Sequence, residues 1–196
     1  MTDAVPVTRA VLDFWFLPPA HSGHGQYRPE WFRKDEAFDA AIRERFGAVV
    51  EAVLTSISGD GPDEAQLARI LLLDQFTRNI HRNTPRAFAG DTQALRLAVA
   101  LVAAGRDKNL SPWQRCFAYL PFEHSESLLD QERAVALFAG LRREMQQAAF
   151  DSAYDYALRH REAIARFGRF PHRNAILGRV STAEEIEFLK HPGSSF

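Results

Sequence analysis

Hydrophobic positions along this chain recur at helical spacing, and the strict alternation of a half-buried strand is nearly absent. The clearest stripe reads Phe38, Ile42, Phe46, Val49, Val53 and Ile57, in steps of four, four, three, four and four. Such steps put one apolar face on a long helix, which Asp35 is placed to cap. The same periodicity predicts about eight helices. The first covers residues 8–16 and ends at Pro18-Pro19; the long second one is broken by Gly59-Asp60-Gly61-Pro62; the third runs over 62–81. A fourth over 91–102 is capped by Asp91 and closed by Gly105, and Ser111-Pro112-Trp113-Gln114 opens a fifth that Leu120-Pro121-Phe122 ends. The sixth covers 125–147, the seventh 151–167 with Gly168 behind it, and a last short one runs from the cap at Ser181-Thr182 to 189. Short connections predict antiparallel neighbours, in a single domain over 1–196 with 1–7 and 191–196 as flexible ends.

Helix three carries charge where apolar residues belong. Projected at about 100° per residue, Asp74 and Arg78 share a stripe with Leu67, Ile70 and Leu71, while Leu72, Leu73, Phe76 and Ile80 form a second apolar surface. A helix apolar nearly all round is a buried one. Asp74 and Arg78, with Arg82 one turn on, must then be compensated by each other, by other residues or by a ligand. Gln75 and Asn79 add amides on an adjoining sector. A structural ion pair accounts for Asp74 and Arg78 as well as a binding site does. On helix seven, Tyr154, Ala157, Leu158, Ile164 and Ala165 mark the expected apolar face, with Arg161 inside it and His160 at its edge.

Between Ala163 and Ala183 no acidic residue occurs, yet Arg166, Arg169, His172, Arg173 and Arg179 do, interleaved with Phe170, Pro171, Ile176 and Leu177. An apolar loop studded with arginines and leading to a helix start suits anion binding, because guanidinium forks match carboxylate and phosphate. Capping alone explains Ser181, Thr182 and Glu184. A third charged segment, Pro121-Phe122-Glu123-His124-Ser125-Glu126, sets a histidine between carboxylates at a predicted helix start. There His124 can act as general base, orienter or ligand, and Glu126 can complement the helix dipole or serve the site.

Composition narrows the class. Apolar residues at 46% and charged ones at 25% mark an ordinary globular chain. A net charge of −1, from 24 basic and 25 acidic residues, argues against nucleic acid or an anionic membrane as partner, so any anion site must come from local clustering. The single cysteine, Cys116, forms no internal disulfide and reads as a small buried hydrophobe. With no basic-then-apolar leader and no membrane-length apolar run, the expected compartment is the cytoplasm. Ser125 lacks the strand–Gly-x-Ser-x-Gly–helix setting of an esterase; no phosphate-binding glycine loop occurs; neither His-Glu-x-x-His nor paired cysteine is present. Glu123, His124, Glu126, His160 and His172 would make a metal set only over long range, so no metal and no cofactor is expected.

Three segments together are distinctive. They are Asp74-Gln75-Phe76-Thr77-Arg78-Asn79-Ile80, Leu120-Pro121-Phe122-Glu123-His124-Ser125-Glu126, and the run from Arg166-Phe167-Gly168-Arg169-Phe170-Pro171-His172-Arg173-Asn174 to Arg179. With Val11-Leu12-Asp13-Phe14-Trp15-Phe16 and Trp31-Phe32, they resemble the signatures of the family catalogued as domain of unknown function 924. The resemblance implies an all-α fold, antiparallel helix pairs in a right-handed α–α superhelix like that of tetratricopeptide repeats. It implies no particular activity. The residues themselves point to a pocket for a small anionic ligand. Arg78, Asn79, Arg82, Arg169, Arg173, Asn174 and Arg179 would bind it, and Asp74, His124, Glu126, His160 and His172 would orient it or move protons. The alternatives are a module that binds a peptide or protein tail, and a purely structural polar network.

Overall fold

A computed structural model describes residues 4–56 and 61–195 of the chain; the predicted stripe position Ile57 and the break at Gly59-Asp60 lie outside them. Regular structure among the described residues is helical throughout, with no strand. The chain divides into two compact units, Met1–Arg82 with Arg86–Pro121, and Asn83–Pro85 with Phe122–Phe196.

The first unit holds α1 (Ala4–Phe16), α2 (Glu36–Thr55), α3 (Asp63–Ile70), α4 (Thr77–Ile80), α5 (Asp91–Ala103) and most of α6 (Pro112–Glu123). Asp35 caps α2 as its sequence position implies, accepting from the N–H groups of Ala37 and Phe38. Between α3 and α4 the chain stays helical but widens into a π-turn over Leu71–Phe76, so the two are one continuous helix. α1 and α5 pack on α3, and α2 packs on the π-turn and α4. Neighbours on several sides explain why all six π-turn residues are buried. The wide turn shifts the helical phase, which an unbroken projection at about 100° per residue does not foresee. Phe76, in this turn, lies against the fully buried Trp15, their ring centroids 5.3 Å apart. Asp91 does not cap α5: Gly90 holds the N-cap, and the Asp91 carboxylate takes a hydrogen bond from Arg78 instead.

The second unit holds the end of α6 and the helices α7 (Leu128–Met145), α8 (Ala148–Phe167) and α9 (Ala183–Phe188). α6 does not stop at Pro121. It carries that proline inside its last turn and ends at Glu123. α7 in turn starts at Leu128, so His124, Ser125 and Glu126 lie on the connector before it and not on a helix start. α7 and α8 pack together across a two-residue link in which Gln146 turns the chain at φ 50°. On α8 the buried face is Phe150, Ala157, His160, Ala163 and Ile164. That corrects the expected phase. Ala157, His160 and Ile164 are themselves three and four residues apart, which makes His160 the middle of the buried row. Arg161 falls outside it, 43% exposed and facing Glu132 at 3.6 Å, and Leu158 is exposed.

Gly90 supports the π-turn directly, since a Cβ there would stand 2.1 Å from the Leu73 carbonyl oxygen. That same oxygen accepts the Thr77 hydroxyl at 2.6 Å. Gly90→Ala should therefore force backbone apart and destabilise the protein by at least about 1–3 kcal/mol, read from the midpoint of chemical unfolding.

Candidate functional site

Within the first unit, Asp74, Arg78, Asn79 and Arg82 are tied into carboxylate networks. Asp74 is fully buried; its carboxylate accepts from Arg78 at 3.1 Å and from the Gln75 amide at 2.6 Å, and its carbonyl accepts from Arg78 at 2.5 Å. Arg78 also donates to Asp91 at 3.0 Å. Burial works against the Arg78 charge, but Asp74 and Asp91 outweigh it and raise its pKa. Arg82 grips the Asp39 carboxylate with two nitrogens, one of them at 2.9 Å, and Asn79 donates to Asp39 at 2.7 Å. Neither Asp39 nor Asp91 was recognisable as a partner from sequence, because both are supplied by other helices.

In the second unit, the arginine loop is held by two acids from outside it, Glu185 and Glu126. Arg169 forms a two-pronged pair with Glu185, at 2.7 and 2.9 Å. Glu185 also completes a capping box with Thr182 at the start of α9. Arg179 makes a second such pair with Glu126, at 2.8 and 3.0 Å, and donates to Asn174 at 2.9 Å. Burial acts to raise the Glu126 pKa, but Arg179, the Phe170 N–H and nearby Arg173 overcome it and leave the carboxyl below its usual range. Asn174 is buried and donates to Ser181 at 3.1 Å. These bonds fold the segment after α8 into a frame around Phe170.

Around that ring the remaining predicted residues collect. His160 meets Phe170 edge-on at 5.5 Å, His172 lies 5.6 Å from it, and the Arg173 guanidinium stacks over it at 4.5 Å. The His124 ring is 6.3 Å from that of His160. His160 is 5% exposed and Arg173 6%. Glu123, 3% exposed at the end of α6, sets a carboxylate oxygen 3.1 Å from His160 Nδ1, which also lies 2.9 Å from the Tyr156 carbonyl. Two oxygen acceptors at Nδ1 require the proton there and the lone pair on Nε2. Burial holds His160 well below the usual imidazole range; His124, Arg173 and His172 push the same way, against the Tyr156 carbonyl. Glu123, which the sequence placed beside His124 and in a long-range metal set, is the carboxylate that faces His160. Among the described residues no group of three or more His, Cys, Asp or Glu is arranged to hold a metal, and no helix is long and apolar enough to cross a membrane.

The model of the family described as bacterial protein of unknown function, DUF924, matches residues 11–193, and the chain belongs to that family. A solved structure of a protein of unknown function from Agrobacterium tumefaciens, ATU0120, is 34% identical. The match covers 96% of this chain and 99% of that one, with a TM-score of 0.77. No curated protein matches.

The Arg169–Glu185 pair makes a pH prediction. Arg169 is the first cause that holds the Glu185 carboxyl down at about 2, from an ordinary 4.5. A carboxylate depressed in the folded state stabilises it above the unfolded pKa, and that contribution is lost as pH falls through the folded one. Glu185→Gln should cost about 1–3 kcal/mol at neutral pH and progressively less as pH falls from 4.5 toward 2. Urea unfolding of both proteins across that range checks the sign.

Proposed function

We propose that the second unit carries an acid–base site for a small anion, bearing carboxylate or phosphate, with His160 as its proton-transfer group. The observation that supports this best is the buried His160–Glu123 pair beside His124, His172 and Arg173. Glu123 and the Tyr156 carbonyl fix the imidazole tautomer, so Nε2 can accept a proton, and Glu123 stabilises the imidazolium that results. Burial keeps the ring neutral, the form a base needs. Arg173 supplies the positive charge that draws an anion, in surroundings of low dielectric where such attraction is strong. Arg169, Arg179, Asn174 and Glu126 form the frame that holds these groups. The setting we infer is a tetratricopeptide-like superhelix working in the cytoplasm.

For Asp74, Arg78, Asn79 and Arg82 a structural role is the better reading, because each arginine already meets buried or half-buried carboxylates. Such pairs are commonly replaceable by apolar groups of similar volume.

Calorimetry with inorganic phosphate and with succinate tests the reading. Wild type should give a binding heat with at least one of them, and Arg173→Met should weaken that binding about tenfold or more. Equal affinities for the two proteins, or no heat with either ligand, overturn it. The double variant Asp74→Leu with Arg78→Met should fold and bind as wild type does; a folded double variant that has lost the heat would return these two residues to the site.

A further inference from the structure

α6 ends badly for its own backbone. Pro121 has no N–H to give, and the last carbonyls of any helix lack helical donors. One side chain from the next helix meets them. Gln131, fully buried in the first turns of α7, points its Nε2 at the Glu123 and Ser125 carbonyls, each at 2.6 Å, with the Phe122 carbonyl at 3.4 Å. An amide nitrogen carries two hydrogens, and the two short contacts use both. The bonds fall on either side of His124, and one of them holds the residue whose carboxylate faces His160.

The other end of the amide shows what this arrangement costs. Gln131 Oε1 is buried and has no hydrogen-bond partner among the described residues. An unsatisfied buried acceptor is costly, and methionine would fill nearly the same space without one. A glutamine at this position makes sense through what its nitrogen holds.

We infer that Gln131 is the positioning residue of the site: its amide clamps the bend over residues 122–125 and so keeps the Glu123 carboxylate on His160. The inference rests on the acid–base reading for its functional meaning, but its test needs no ligand. Nitrogen-15 spectra of the full-length, labelled protein at neutral pH report the His160 tautomer directly. Wild type should show two widely separated ring resonances, one protonated nitrogen and one bare. In Gln131→Met the two should draw together as Glu123 loses its register, and Glu123→Gln should move them in the same way. A folded Gln131→Met protein with the wild-type resonances overturns the inference, whatever its loss in Tm, since an amide that only adds stability leaves the tautomer alone. So does a wild-type His160 that is already a mixture. Should Gln131→Met fail to fold, Gln131→Asn keeps the amide but draws it back by one methylene, and it is judged by the same two resonances. If these respond while calorimetry detects no anion, the ligand reading falls and the role of Gln131 stands. If anion binding through Arg173 is seen but the resonances stay fixed, the Gln131 inference alone falls.

Discussion

Burial of the continuous helix from Asp63 to Ile80 is the constraint from which most of the first unit follows. α1, α2 and α5 pack along it, so little of it reaches water and any charge it carries must be met inside the protein. Asp74 meets Arg78 and Gln75, Arg78 reaches on to Asp91, and Arg82 with Asn79 meets Asp39 on α2. The polar residues thereby become connectors between helices. The π-turn belongs to the same scheme: neighbours on several sides bury all six of its residues, and the absent side chain of Gly90 lets another stretch of backbone close over the Leu73 carbonyl.

The second unit solves a related problem differently. Its basic loop contains no acid of its own, and the carboxylates that hold it come from either side in sequence, Glu126 before α7 and Glu185 on α9. With Arg169 and Arg179 so engaged, the loop wraps a single phenylalanine, and around that ring an arginine and two histidines gather. The neutral state of His160 is a product of this packing. Burial and neighbouring positive charge both oppose its protonation, while Glu123 and Tyr156 decide which nitrogen keeps the proton. A reactive imidazole and a merely packed one differ in those contacts, and nothing in the local sequence distinguishes them.

Much of the architecture was legible along the chain. The Asp35 cap, the Gly168 terminus at φ 68° and the Thr182 capping box sit where their residue types imply, because caps and left-handed turns are local events. Placement failed where more than one helical phase fits the same residues. On α8 the expected face was Tyr154, Ala157, Leu158, Ile164 and Ala165 with Arg161 inside it; Ala157 and Ile164 are buried, but in a row with Phe150, His160 and Ala163 and not with Leu158 or Arg161. The helix opposite makes that choice, and α7 supplies it. Pro121 is a similar case: a proline in a last turn is compatible with ending the helix or with finishing it, and here the chain gains two more helical residues, one of them Glu123.

What the sequence determined by itself is the set of helices and the fact that charge would be buried, for both follow from spacing and from residue type within a few turns. It also marked residues 120–126 and 166–179, which carry Glu123, His124, His172 and Arg173, and the charged stretch 74–80, whose arginine is tied to carboxylates. Only the tertiary structure decided the partners. Asp39 for Arg82, Glu185 for Arg169, Glu126 for Arg179 and Gln131 for the end of α6 are joined across loops and neighbouring helices. A hydrogen bond depends on distances of about 3 Å, which the chain sets only once it has folded.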